Sequence, residues 1–269
     1  MSIMKRILAS LISLATALLV SSCLEYETKI SLNKDGTGTI TEETVFGAEI
    51  IGMLEMAAQQ GGQAKSPLDD LKNEDKAKDK AADYGEGVTF VKIEEIARDG
   101  GKGVRVTYKF NDINKVSLNP GEGLTNLAPG TAAEAKEAST ALKFNLADNK
   151  LTIISPEVDA EKAKNATDDL DIPDAQDPQA QQMLQMFKGM KMTSKLTISS
   201  GIANTDASFH KGDTITLYEM DFDKILANPE SLKEMKGIDM SDRAKAAAAL
   251  SKIKGVKAET KEKVTVELK

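Results

Sequence analysis

The chain has no tryptophan, one histidine, one cysteine and only 4% aromatic residues. Each scarcity removes a class of function. A single histidine, His210, cannot build a multi-histidine metal site, and its polar His-Lys-Gly-Asp setting would force a Ser-His-Asp triad onto a hairpin tip. One cysteine, Cys23, permits no intramolecular disulfide, so stability must come from the core. That core draws on 41% apolar residues without tryptophan, so aliphatic and methionine packing dominates and a sugar-stacking cleft lacks its platform. Adjacent acids such as Glu94 and Glu95 fall on an expected strand, where neighbours point to opposite faces and cannot cooperate as acid and base. The expectation is a protein that is not an enzyme and carries no cofactor.

Basic charge is also in short supply: 35 Lys and Arg stand against 42 Asp and Glu, a net charge of −7. No basic cluster with interleaved aromatics offsets it, which excludes nucleic acid as a partner.

What is present begins with the first 23 residues. Lys5 and Arg6 precede an apolar run from Ile7 to Val20, and the small residues Ser21 and Ser22 lead to Cys23. This is the layout of a secretory signal, too short to span a bilayer comfortably. Val20, Ser21, Ser22 and Cys23 resemble the bacterial lipobox. The resemblance implies a diacylglycerol on the Cys23 thiol, loss of residues 1–22 and a mature chain anchored to a membrane. The alternative is an ordinary signal peptide beside a chance cysteine. A lone thiol in an oxidising compartment is accounted for by lipidation, and at about 0.8 kcal/mol per buried methylene two acyl chains hold firmly. Leu24 follows the cysteine where the enterobacterial sorting rule places Asp in inner-membrane lipoproteins, so the resemblance favours the outer membrane. The expected mature chain, residues 23–269, has 33 basic against 42 acidic residues and a net charge of −9. It is long enough for one large core or two modest ones.

Along that chain the recurring signal is alternation with a period of two, broken by polar turns. Tyr26, Thr28, Ile30 and Leu32 lead to a turn at 33–38 and a returning strand from Ile40 to Phe46. Val88, Phe90 and Ile93 pair across Gly100 and Gly101 with Val104, Val106, Tyr108 and Phe110. Leu142 to Leu146 and Leu151 to Ile153 flank Asp148 and Asn149. Leu196 and Ile198, a bend near Gly201, and Ile215 and Leu217 make a fourth pair, with Val264, Val266 and Leu268 at the end. Helical spacing appears between them: Ile50, Ile51, Leu54, Ala57 and Ala58; Met183, Leu184, Phe187 and Met190; a Ser66-Pro67 start; an Asn228-Pro229 start; and a last helix capped by Ser241 and ended by Gly255. Hairpins with helices inserted, without regular βαβ order, predict an α+β fold: an antiparallel or mixed curved β-sheet with several helices packed on it. Two excursions, about 119–141 and 156–180, interrupt it. The second gathers Asp168, Asp169, Asp171 and Asp174, with no glycine to fix a calcium loop there.

Asn33 to Thr44, NKDGTGTITEET, resembles an EF-hand loop at a glance. It ends in Thr44 where the loop needs a bidentate glutamate, and its flanks alternate as strands where the motif needs helices. Asp35 and Gly36 suit a tight hairpin turn, and Gly38 a bulge. No metal is expected.

Leu196 to Phe222, LTISSGIANTDASFHKGDTITLYEMDF, is similar to the strand, bend, strand and turn pattern of the LppM-like lipoproteins, through Gly201, Asn204, Gly212, Asp213, Thr214 and Tyr218. It departs from that pattern at Ser200, where proline is usual, and at Leu217 or Tyr218, where tryptophan is usual. The resemblance implies a lipoprotein with a curved sheet packed on helices around an apolar ligand, and brings no catalytic residues. Two functions of different class follow. One is a binding module in which Met53, Met56, Met183, Met186 and Met190 form an adaptable groove for a lipid or other apolar ligand; as ordinary core filler they would carry no such role. The other is an accessory lipoprotein presenting a surface to another envelope protein. Either requires the anchor. Cys23→Ala should abolish incorporation of an alkyne-tagged fatty acid and release the chain from the membrane fraction; continued labelling would place the lipid elsewhere.

Overall fold

In the computed structural model, the alternation of residues 24–46 becomes a hairpin of two nine-residue strands, β1 (Leu24–Leu32) and β2 (Gly38–Phe46), in unbroken antiparallel register. The structure describes residues 24–60, 67–98, 100–120, 141–156, 187–228 and 242–269, together with 230, 231, 234 and 238. The tip of this first hairpin is the EF-hand look-alike. Asn33 N–H donates to the Thr37 carbonyl at 2.8 Å, and Asp35 Oδ1 accepts from the Thr37 N–H at 3.0 Å and hydroxyl at 2.7 Å. Those Thr37 hydrogen bonds hold the Asp35 carboxyl below its ordinary range. Gly36, at φ +86°, supplies the left-handed residue. Gly38 makes no bulge, contrary to expectation, and pairs with Leu32 in register. Its reason is close approach: a Cβ there would lie 2.5 Å from Phe110 Cζ and nearer still to the Ser31 carbonyl oxygen.

The other strands are β3 (Thr89–Arg98), β4 (Gly101–Phe110), β5 (Ser117–Leu118), β6 (Leu142–Ala147), β7 (Lys150–Ile154), β8 (Met190–Ile198), β9 (Ile202–Thr205), β10 (His210–Lys211), β11 (Thr214–Asp221), β12 (Val256–Ala258) and β13 (Lys263–Leu268). The larger sheet runs β10-β11-β8-β1-β2-β4-β3, with β12 also on β11. The smaller runs β5-β6-β7-β13-β9. Every pairing is antiparallel except β1 with β8, which run parallel over their full length, Leu24 opposite Met190 to Leu32 opposite Ile198. The fold is therefore α+β with one mixed and one antiparallel sheet. The chain passes from the larger to the smaller sheet between β8 and β9, at Gly201, whose φ is +90°.

Five described helices pack around the sheets: α1 (Ala48–Gln60), α2 (Pro67–Leu71), α3 (Glu74–Lys80), α4 (Phe222–Leu226) and α5 (Arg243–Leu250). Asn73 caps α3, its side-chain oxygen accepting from the N–H of Asp75 at 3.0 Å and of Lys76 at 3.2 Å. Asp242, and not Ser241, caps α5 by accepting from Lys245 N–H at 3.1 Å. A carboxylate suits the N-terminal dipole better than a hydroxyl does.

The main core lies between the sheets, where Ile30, Leu32, Ile40, Phe110, Leu196 and Ile198 of the larger meet Leu118, Phe144, Leu151, Ile153, Val264 and Val266 of the smaller. A second cluster, including Met220, Ile225, Ala246, Ile253 and Val256, packs α4 and α5 on the β11 side. A third joins Leu24 and Phe46 to Ile51 of α1, with Leu68, Leu71 and Met190 against it. Of the excursions at about 119–141 and 156–180, all but residues 119, 120, 141 and 156 lie outside the described residues, the aspartates of the second included. Because Gly38 has no room for a methyl group, Gly38→Ala should destabilise the fold by about 1–3 kcal/mol. A lowered urea midpoint with unchanged slope would register it; an unchanged midpoint would refute the packing argument.

Candidate functional site

The inner face of the larger sheet is read most directly across its strands. In the row nearest the hairpin tip, Leu32 and Ile198 are opposite one another; in the next, Leu196, Ile30, Ile40 and Tyr108 are cross-strand neighbours. Both rows lie under the smaller sheet. One step further from the tip the chemistry changes: Tyr218, Ser194, Thr28, Glu42 and Val106 stand side by side on β11, β8, β1, β2 and β4. Ser194, Thr28 and Glu42 are buried. A polar row therefore divides the main core from the small apolar cluster at Leu24 and Phe46.

Glu42 is the charged member, 5% exposed. Its Oε1 accepts from the Tyr26 hydroxyl at 2.5 Å and from Lys80 Nζ at 2.6 Å, and its Oε2 from the Tyr108 hydroxyl at 3.3 Å. Tyr84, whose ring centroid is 5.2 Å from that of Tyr108, also hydrogen-bonds the carboxylate. Burial works against the charged form, yet the Lys80 ammonium and the hydroxyls outweigh it and hold the carboxyl below its ordinary range. At the far end of the row, burial alone pushes the Tyr218 hydroxyl up to about 12.

Beside Glu42 lies a cavity of about 340 Å³ between the sheet and the α2–α3 segment. Its walls are Val104 and Val106 of β4, Leu71, Ala77 and the rings of Tyr26 and Tyr108; its polar floor is Glu42, Thr44 and Lys80. Exposed Asp70, Asn73 and Lys76 form the rim, with Lys76 Nζ paired to Asp70 at 2.6 Å. The space has a simple origin. Ala77 is the buried residue of α3, and a side chain of one methyl group cannot fill the gap between a helix and Val104 and Val106.

Of the residues singled out from the sequence, those that the structure describes do not line this cavity. Cys23, Met183 and Met186 are outside the described residues, as is the side chain of Met53 on α1. Met56, also on α1, is 57% exposed. Met190 opens β8 instead of closing a helix, and packs against the Leu24 cluster. His210 is exposed on the short β10 strand, and Glu94 and Glu95 bind different lysines, Lys92 at 3.0 Å and Lys72 at 2.7 Å. Glu42 was missed although a signal existed: it falls two residues from Ile40 and four from Phe46, on the dry side of the alternation.

No protein-family profile and no curated protein matches the chain. Among solved structures, it is similar to the folded domain of the Mycobacterium tuberculosis protein LppM, at 8% identity and a TM-score of 0.30, over 75% of this chain and 84% of that one.

The Glu42–Lys80 pair generates a signed prediction. Since the native carboxyl lies below its ordinary value of 4.5, its contribution to stability is complete above that value and fades as pH falls through the lower native one. The stability difference between wild type and Glu42→Gln should be constant from about pH 8 to 5.5 and shrink below about pH 4.5. Lys80→Met, which strands the buried carboxylate, should cost about 3 kcal/mol, more than Glu42→Gln does. Equal losses in urea titrations would mean that stranding the carboxylate costs no more than removing its charge.

Proposed function

We propose that this chain is a lipid-anchored protein of the bacterial cell envelope, acylated at Cys23, whose domain binds a small amphiphile in the Glu42 cavity. The observation that carries the binding reading is the cavity itself: apolar walls at Val104, Val106 and Leu71 face a polar floor at Glu42 and Lys80. Its volume of about 340 Å³ is at the small end of the range of about 300–1,000 Å³ usual for ligand pockets. It suits a short amphiphile or the head portion of a lipid rather than a whole diacyl lipid. The anchor reading is supported by the charged start, the apolar run and the Val-Ser-Ser-Cys exit, and favours the outer membrane through Leu24. Among the described residues no helix is long and apolar enough to cross a membrane.

A binding role fits the chemistry of Glu42 better than catalysis. A general acid or base at neutral pH works best with a pKa near 7, whereas this carboxyl is held low and saturated with donors. The accessory reading has less support. Large apolar side chains on the described surface are Met56 on α1 and Val91 on β3, and single exposed apolar residues are normal.

The test uses N-phenyl-1-naphthylamine, a small neutral fluorophore. Its emission should rise on mixing with the protein, and Val104→Phe, which fills the cavity, should weaken binding at least fivefold while leaving the melting transition cooperative. No emission change, or a Val104→Phe variant that binds equally well, would reject the cavity as a ligand site.

A further inference from the structure

We infer that the cavity selects ligands whose polar end is a primary ammonium group, docked on Glu42 in the place that Lys80 now fills; this rests on the cavity being a binding site. The two members of the ion pair are not equivalent. Glu42 is fixed on an inner strand of the larger sheet, flanked by β1 and β4, and its other partners, the hydroxyls of Tyr26, Tyr84 and Tyr108, are neutral. Lys80 comes from the last turn of a seven-residue helix, and its side chain is 24% exposed against 6% for Glu42. Its four-carbon stem allows the ammonium to swing to water when another cation takes its place on the carboxylate. The carboxylate stays and the cation is replaceable.

An incoming cation conserves the charge balance of the buried site, because Lys80 leaves as the ligand arrives. An anion would have to settle beside a buried carboxylate, where like charges are costly. Three further features favour a cation. The rings of Tyr26 and Tyr108 line the cavity, and aromatic faces attract ammonium groups. The chain carries a net charge of −7, which draws cations toward it. The short Lys80 contact of 2.6 Å is a charge-assisted hydrogen bond that a primary ammonium reproduces and a quaternary one cannot. Val104, Val106 and Leu71 then receive the ligand's alkyl portion.

Three probes of one chain length separate the possibilities: hexylammonium, hexan-1-ol and hexanoate, each titrated calorimetrically into the full chain. Hexylammonium should bind at least tenfold more tightly than hexan-1-ol, and hexanoate least. Glu42→Gln should remove most of that preference. Lys80→Met takes away the internal competitor, so hexylammonium should bind this variant about tenfold more tightly than wild type. Because the substitution bares the carboxylate, thermal melting is a second readout: hexylammonium should raise the Tm of Lys80→Met more than that of wild type. Tightest binding by hexanoate, abolished in Lys80→Met, would reverse the assignment to an anion site. Equal binding of all three would leave the cavity a ligand site and remove the ammonium preference; binding of none would remove both.

Discussion

A carboxylate on the inner face of a sheet needs a cation, and the helical side of this domain is arranged around that need. Glu42 cannot reach bulk water from its position on β2, so charge must be brought to it. Lys80 does this from the end of α3, where a cation is also favoured by the helix dipole. For Lys80 to arrive there, α3 must lie over the polar row, and the Asn73 cap fixes where that helix starts. Tyr26, Tyr84 and Tyr108 complete the shell from three different elements. Removing one partner of such a set leaves the others buried and under-satisfied, which is why networks of this kind tie elements together more strongly than any single bond suggests.

The same sheet serves two purposes on one face. Its tip-side rows are closed by the smaller sheet into a dry core, in which aliphatic and aromatic side chains interlock. Its other rows are covered by helices, and where α3 contributes only Ala77 and polar side chains the packing loosens into a cavity. The division follows residue type along each strand: counted away from the hairpin tip, Leu32 and Ile30 give way to Thr28 and Tyr26 on β1, and Ile40 to Glu42 and Thr44 on β2. Stability and a hollow are thus encoded in successive inward-facing residues of the same strands.

Much of this architecture is written locally and could be read from the chain. The turns at Asp35-Gly36, Gly100-Gly101 and Asp148-Asn149 combine strand alternation with residues that accept positive φ, and each gives the expected hairpin. The amphipathic spacing at Ile50 and Ile51 gives α1. What was not legible depends on contacts between distant segments. Nothing in Leu24–Leu32 or Met190–Ile198 states that they run parallel, because register between remote strands is chosen by the whole sheet. Met190 fits a helical spacing with Met183 and Phe187, but the turn at Lys188 and Gly189 intervenes and the strand claims it. The Glu42 site failed for a different reason. Its inward position was readable from the alternation, but Lys80, which makes that position tolerable, stands 38 residues away on a helix.

The parallel union of β1 and β8 also bears on how the molecule is made. Glu27 and Thr193, which touch across it, are 166 positions apart, and such distant pairings close slowly because the entropy of a very large loop must be overcome first. Emerging from a ribosome, the first strand can pair with β2 at once but must wait for the last third of the chain before its other edge is occupied. Until then the larger sheet is split and its inner face, charge included, is open to water. A domain whose first strand stays half-paired for so long cannot lock early and remains loosely folded until its synthesis is nearly complete.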